Sequence, residues 1–511
     1  MDRSLARVGT AFCAAVTALA GSAVASTAGS VPTVRLDNGI TVHGKVNQTA
    51  SPDVAQYLGI PFAQPPLGSL RWEPPQAYRA SGNEVINSTQ LPPSCWQYVS
   101  VHPGILRTDA PQFMIGGAGT SEDCLTVSVW APKTALETNA SLPVLIWFYG
   151  GGFATGGVDV PYQIPDKWVQ RNKDHIIVSF NYRLNIFGFP DAAGLDEVNL
   201  GLMDQRLAVE WTRDNIAKFG GNPDNMVIWG QSAGAVAVDY YNFAWPEEPI
   251  VKGLIMDSGT AHLDQLLSPD TPGLNFTFVA SNLGCGNQTS PQAELACMRD
   301  VPAWKIEKFV AEYEDSGDSP SITFAPMVDG KLVFENYTER ALNGEMSQLP
   351  AIIGFNDAEG LFLATYSPEG PNMTTAATLG YEYFLCPATK MTYERLAVGR
   401  TTHRYFYAGN FTNISPRPWM GAYHESELPL LFGTHADFRG NSTPFEYEVS
   451  HTMQDTWVAF ARDPENGLDR LGWPAYAAKD GQVRKFAVDG VLAQMGNVSS
   501  VEAECQARGL L

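Results

Sequence analysis

Positive charge is scarce in this chain. Lysine and arginine number 33 against 54 aspartates and glutamates, a formal net charge of -21. With no general excess of cations to offset phosphate, the composition argues against nucleic acid as a partner. It argues equally against binding to an anionic membrane surface. Long apolar runs are also missing after the first twenty residues, and the C-terminus has no hydrophobic tail. Neither a membrane helix nor a lipid anchor of the hydrophobic-tail type is therefore expected. Cysteine is sparse, with seven residues and no CxxC pair to suggest zinc. No repeat, low-complexity tract or flexible linker divides the chain.

What is present begins with a targeting pattern. Arg3 and Arg7 precede the apolar run Val8 to Ala20, and Ala23-Val24-Ala25 offers small residues for cleavage. Residues 1–25 therefore read as a secretory signal peptide, and residues 26–511 as one domain. Cys13 leaves with that leader. The six remaining cysteines, Cys95, Cys124, Cys285, Cys297, Cys386 and Cys505, are an even number and suit disulfides in an exported protein. Eleven N-x-S/T sequons, at Asn47, Asn87, Asn139, Asn275, Asn287, Asn336, Asn372, Asn410, Asn413, Asn441 and Asn497, point the same way.

The apolar pattern predicts an α/β fold. Leu142 to Tyr149, His175 to Phe180, Met226 to Trp229, Gly253 to Met256 and Ala351 to Gly354 read as unbroken apolar strands, as in a mostly parallel sheet covered on both faces. Leu202 to Phe219 fits a helix stopped by Gly220, Gly221 and Pro223. Thr33 to Gly44 reads as short strands turning at Asp37-Asn38-Gly39, and Gly59 to Pro75 as irregular but packed chain. Residues 265–345 and 365–400 are expected to form helical and loop insertions over the site.

The chemistry centres on Gly230-Gln231-Ser232-Ala233-Gly234, placed directly after a strand and before a helix-forming stretch. A strand that turns abruptly into a helix exposes a serine hydroxyl and aims the next N–H at a bound carbonyl. Ser232 is therefore the candidate nucleophile. It needs a base and an orienting acid, in the chain order serine, acid, histidine. Of five histidines beyond Ser232 (His262, His403, His424, His435 and His451), His424 has the best surroundings, after the strand Arg404 to Ala408. For the acid, Glu359 and Asp357 compete on spacing, with Asp329 a weaker third. Gly150-Gly151-Gly152, also following a strand, could supply N–H donors to an oxyanion together with Ala233.

Taken with Gly59-Ile60-Pro61-Phe62-Ala63, Leu70-Arg71-Trp72, Ser121-Glu122-Asp123-Cys124-Leu125, Asn181-Tyr182-Arg183 and Gly201 to Arg206, the chain resembles the type-B carboxylesterases. These are the α/β-hydrolases that include cholinesterases and fungal secreted lipases. The resemblance spans about Thr33 to Cys505. It implies Ser232 as nucleophile, Glu359 as acid, His424 as base, and Gly151, Gly152 and Ala233 as oxyanion donors. It also implies the disulfides Cys95–Cys124 and Cys285–Cys297, which leaves Cys386 and Cys505 to pair. Ion pairs Arg71–Glu122 and Arg183–Asp204 belong to the same pattern.

Two departures bear on substrate. Gln231 stands where many members carry glutamate, and the Cys95–Cys124 loop has no tryptophan from Gln97 to Asp123. Both disfavour cationic choline esters. The expected substrate is a small or medium carboxylic ester, with lipid as the runner-up. No cofactor or metal is required. The weaker reading is a noncatalytic interaction protein.

Overall fold

The computed structural model describes residues 31–138, 140–268, 273–478 and 481–511. The predicted leader and the sequon at Asn139 lie outside these residues. Among them, eleven strands form one large sheet. In chain order they are β1 (Lys45–Asn47), β2 (Ser51–Pro61), β3 (Thr126–Pro132), β4 (Leu142–Phe148), β5 (Ile176–Phe180), β6 (Gly221–Gln231), β7 (Gly253–Asp257), β8 (Ala351–Asn356), β9 (Thr402–Tyr407), β10 (Gln482–Val488) and β11 (Val491–Asn497). Their spatial order is β11-β10-β9-β8-β7-β6-β4-β5-β3-β2-β1. Every neighbouring pair from β10 to β5 is parallel. The pairings outside that block are antiparallel.

Every residue of β5, β7 and β8 is buried, as is all of β4 after Leu142. This explains their unbroken apolar sequences, since helices and loops cover both faces of a parallel sheet. Helix α1 (Leu200–Asn215) continues into a tighter turn, Ile216–Phe219, and stops at Gly220, whose φ of 84° suits only glycine without strain. Helix α2 (Ala233–Ala244) follows β6 directly. Thr33–Arg35 and Thr41–His43 pair antiparallel around the expected turn, in a separate small sheet completed by Val85–Asn87.

The two insertions are helical. Helices α3 (Leu274–Asn282), α4 (Pro291–Asp300) and α5 (Ala303–Ser316) bury a second apolar cluster that includes Trp72, Phe276, Met298 and Ile306. Helices α6 (Met373–Gly380) and α7 (Cys386–Ala397) follow the turn after β8. Helix α8 (Pro444–Arg462) begins with a capping box between Thr443 and Glu446.

Disulfides join Cys95 to Cys124, Cys285 to Cys297, and Cys386 to Cys505. The last closes the longest loop, 119 residues, and ties α7 to the C-terminal helical segment. Both ion pairs are present. Arg71 grips both oxygens of Glu122 at 2.6 and 2.8 Å and also donates to the carbonyls of Met298, Arg299 and Val301. Arg183 meets Asp204 through two side-chain bonds of 2.7 and 2.8 Å. Such buried pairs add little net stability, because desolvation offsets attraction. They fix loops: the Arg71 fork holds the second cluster to the Cys95–Cys124 segment.

Strands β3, β10 and β11 and helix α8 were not expected, and β2 runs to Pro61 through the start of the stretch read as irregular.

Candidate active site

Ser232 sits between β6 and α2 with φ 55° and ψ -125°, a left-handed conformation that L-residues rarely adopt. Small neighbours make the corner possible. A Cβ at Gly230 would lie 2.3 Å from the Gly234 carbonyl oxygen, and one at Gly234 would lie 2.0 Å from that of Phe148. Larger residues at either place would force the elbow open. The parallel pairing of β6 with β4 brings the glycine run alongside: a Cβ at Gly150 would stand 3.0 Å from the Ser232 Cβ. Gly151 and Gly152 take φ values of 106° and 65°. Among the described residues, the N–H groups of Gly151, Gly152 and Ala233 meet no backbone acceptor. Gly152 has open space where a side chain would project.

Glu359 follows β8 on a tight turn, Glu359–Phe362. His424 lies on the segment after β9. The two segments are stitched together, since the Ala358 N–H donates to the Ala422 carbonyl at 2.9 Å and Ala358 bridges Tyr423. His424 Nδ1 then meets Glu359 Oε2 at 2.5 Å. The other carboxylate oxygen accepts from Ser258 Oγ at 2.5 Å and from the Asn356 N–H at 2.6 Å. Phe362 stacks on the imidazole at 4.4 Å between centroids, and Phe384 lies against it at 4.6 Å. An ionised carboxylate only accepts hydrogen bonds, so beside one Nδ1 is the donor, and a neutral ring then presents its lone pair at Nε2. Gln231 Nε2 reaches that lone pair at 3.0 Å.

The rival acids are elsewhere. Asp357 is exposed, and its carboxylate faces Lys485. Asp329 holds a turn by accepting from the N–H groups of Lys331, Leu332 and Val333. Among the other histidines, His262 is engaged by Glu394 at 2.6 Å and His435 by Ser442 at 2.6 Å.

Beneath Glu359 lies a group of buried carboxyls that the sequence did not announce. Burial pushes Asp257 up to about 7, against the Trp229 indole N–H that donates to it at 2.5 Å. Burial pushes Glu425 up to about 7 and Glu427 well above the carboxylate range, where Asn356 holds it. Ser258, Asn356, Phe362 and Phe384 also escaped the sequence reading. The only available signal was position: Ser258 follows β7 as Ser232 follows β6.

Phe362 has a second role. It lines a cavity of about 390 Å³ together with Ile105, Tyr366, Pro371 and Trp419, and His102 of the Cys95–Cys124 loop also lines it. No group of side chains suited to a metal ion occurs among the described residues.

The profile of the Carboxylesterase family matches residues 30–381 and 371–503. The chain belongs to this family. It is a carboxylic ester hydrolase of α/β-hydrolase fold. A chlorogenic acid esterase of Aspergillus niger is 43% identical over 481 residues, covering 91% of this chain and 92% of the relative. Secreted lipase 5 of Gibberella zeae is 41% identical over 494 residues, covering 90% and 91%. The mouse cholinesterase is 29% identical over 489 residues, covering 84% and 78%. The family's ester chemistry thus meets an elbow serine, a buried His–Glu pair and three unpaired N–H groups at one end of the sheet.

Proposed function

We propose that this hydrolase is a secreted serine esterase acting through Ser232, His424 and Glu359. The observation that carries the reading is the convergence of three separate segments: the strained Ser232 corner, the Gly150–Gly152 run against it, and His424 held by Glu359. His424 Nε2 takes the proton from Ser232 Oγ as the oxygen attacks the ester carbonyl. Glu359 holds the ring and stabilises the imidazolium. The N–H groups of Gly151, Gly152 and Ala233 receive the oxyanion. The alcohol departs with the proton from Nε2. Water then attacks the acyl-enzyme, with His424 again acting as base.

Secretion is supported by the leader pattern, three disulfides and a relative named as a secreted lipase. No helix among the described residues is long and apolar enough to cross a membrane. The substrate is a small or medium carboxylic ester. Phenolic esters are a second reading, favoured by the aromatic cavity that shares Phe362 with the His424 ring and by the 43% identical chlorogenic acid esterase.

Hydrolysis of p-nitrophenyl esters from acetate to palmitate, with Ser232→Ala as the control, tests the reading. Serine-dependent activity peaking at short chains is expected. A peak at long chains that rises at an oil interface would replace it with a lipase. Unchanged turnover by Ser232→Ala would refute the nucleophile.

A further inference from the structure

Gln231, the residue before Ser232, stands against the ring nitrogen of His424 that faces away from Glu359. Gln231 is fully buried at the end of β6. Its amide nitrogen stands 3.0 Å from His424 Nε2. Its amide oxygen is buried without a hydrogen-bond partner and lies toward the glycine run, where a Cβ on Gly150 would come within 2.8 Å of it. A buried carbonyl oxygen left unpaired is costly and rare. In this resting arrangement Ser232 Oγ makes no hydrogen bond to His424, whose two ring nitrogens are engaged by Glu359 and Gln231.

The chemistry demands two faces of Nε2. While the imidazole is neutral, Nε2 accepts; once it holds the serine proton, Nε2 donates. A backbone N–H beside it would serve only the first state, and a carboxylate only the second. A carboxamide carries a donor and an acceptor on one flat group, and a half-turn exchanges them.

We propose that Gln231 is a positioning residue that holds His424 through both protonation states. At rest its nitrogen donates to the Nε2 lone pair. When an ester binds, the Ser232 hydroxyl takes over that lone pair. The Oγ–H bond breaks as the bond from Oγ to the acyl carbon forms, and the proton passes to Nε2. The turned amide then accepts from Nε2–H through its free oxygen. The proton leaves to the alcohol oxygen as the acyl C–O bond breaks, and the nitrogen returns to the lone pair. This inference rests on Ser232 and His424 acting as proposed above. The titratable groups beside His424 are Glu359 on the acid turn and Glu425 on its own segment. Phe362 and Phe384 cover it with neutral rings, and β6 contributes only the neutral amide.

The test compares Gln231→Met, which keeps size and loses both hydrogen-bonding faces, with Gln231→Glu, which keeps shape and only accepts when ionised. The readouts are kcat and KM for p-nitrophenyl acetate, the pH profile of kcat/KM, and thermal melting to verify the fold. Q231M is expected to lose about tenfold in kcat with KM nearly unchanged, the size of one lost hydrogen bond. Q231E is expected to favour the charged ring and move the acid limb of the profile upward by about one pH unit. A Q231M enzyme that turns over at the natural rate, or that loses KM alone, overturns the proposal. So does a Q231E profile whose acid limb stays in place. Ser232→Ala in the same assay separates this failure from that of the serine mechanism, which alone predicts its inactivity.

Discussion

Ser258 Oγ donates to Glu359 Oε1 at 2.5 Å, on the opposite oxygen from the one that meets His424. Ser258 itself stands at φ 55°, on the turn after β7, beside the strand that carries the elbow serine. One carboxylate is therefore fixed from both sides, with the Asn356 N–H as a third point. A carboxylate that can rotate presents its oxygens poorly to an imidazole. Ser258→Ala is expected to lower kcat about tenfold with KM little changed, since it removes one hydrogen bond from an orienting group. Steady-state kinetics on p-nitrophenyl acetate measures this. An unchanged kcat would show that the Asn356 N–H and His424 hold Glu359 in place without Ser258.

The Ser232 conformation stores strain in the resting fold. A non-glycine residue in such a conformation costs about 1–3 kcal/mol, and glycine pays far less. Ser232→Gly should thus abolish turnover and raise the melting temperature, while Ser232→Ala abolishes turnover without that gain. Calorimetry on the two inactive variants separates strain from the loss of the hydroxyl. Equal melting temperatures would mean that the corner is relaxed.

The buried carboxyls make stability depend on pH in a definite direction. Asp257 and Glu425 are each pushed to about 7 by burial, and Glu427 higher, whereas unfolded carboxyls ionise near 4. Between those values the folded chain holds protons that the unfolded chain has released. Stability contributed by these groups is full below about pH 4 and falls as pH rises toward 7. For Asp257 alone the change is about 4 kcal/mol at most. Melting temperature is expected to be higher at pH 5 than at pH 8. Asp257→Asn, which keeps an acceptor for Trp229, should flatten that slope. A slope unchanged in Asp257→Asn would remove Asp257 from the account.

The strands that position the site were readable because burial on both faces leaves a signature within six or seven residues, as in Leu142 to Phe148 or Ala351 to Asn356. The elbow was readable because its steric demand is local: Gly230 and Gly234 flank the serine they accommodate. Strands β10 and β11 were not, because β11 is only partly buried and mixes polar with apolar residues. The choice between Glu359 and Asp357 could not be made on spacing, since carboxylates two residues apart on a turn differ only in direction. That direction comes from the Ala358–Ala422 bond across 64 residues. Glu425 and Glu427 stood in plain view beside His424, but burial of a carboxylate is a tertiary fact. The same holds for Gln231: its replacement of glutamate was visible, its contact with His424 was not.

Two consecutive sequons give the last contrast. Asn410 is exposed, whereas Asn413, three residues on, is 7% exposed. The Asn413 amide nitrogen donates to the His435 carbonyl at 2.8 Å, to Glu446 Oε1 at 2.9 Å and to Ser442 Oγ at 3.0 Å. Two hydrogens serve three acceptors, and so one group ties the segment after β9 to the turn at His435 and to the capped start of α8. A glycan needs that nitrogen and space around it; Asn413 has neither free. Asn413→Ala should destabilise the fold by about 2–3 kcal/mol, because it removes hydrogen bonds from a buried carboxylate and a carbonyl. Asn410→Gln should leave the melting temperature unchanged. Enzymatic deglycosylation of the secreted protein in heavy-oxygen water, followed by peptide mapping, should mark Asn410 and spare Asn413. A label on Asn413 would mean that the three-acceptor knot is absent from the mature protein, and with it the predicted cost of Asn413→Ala.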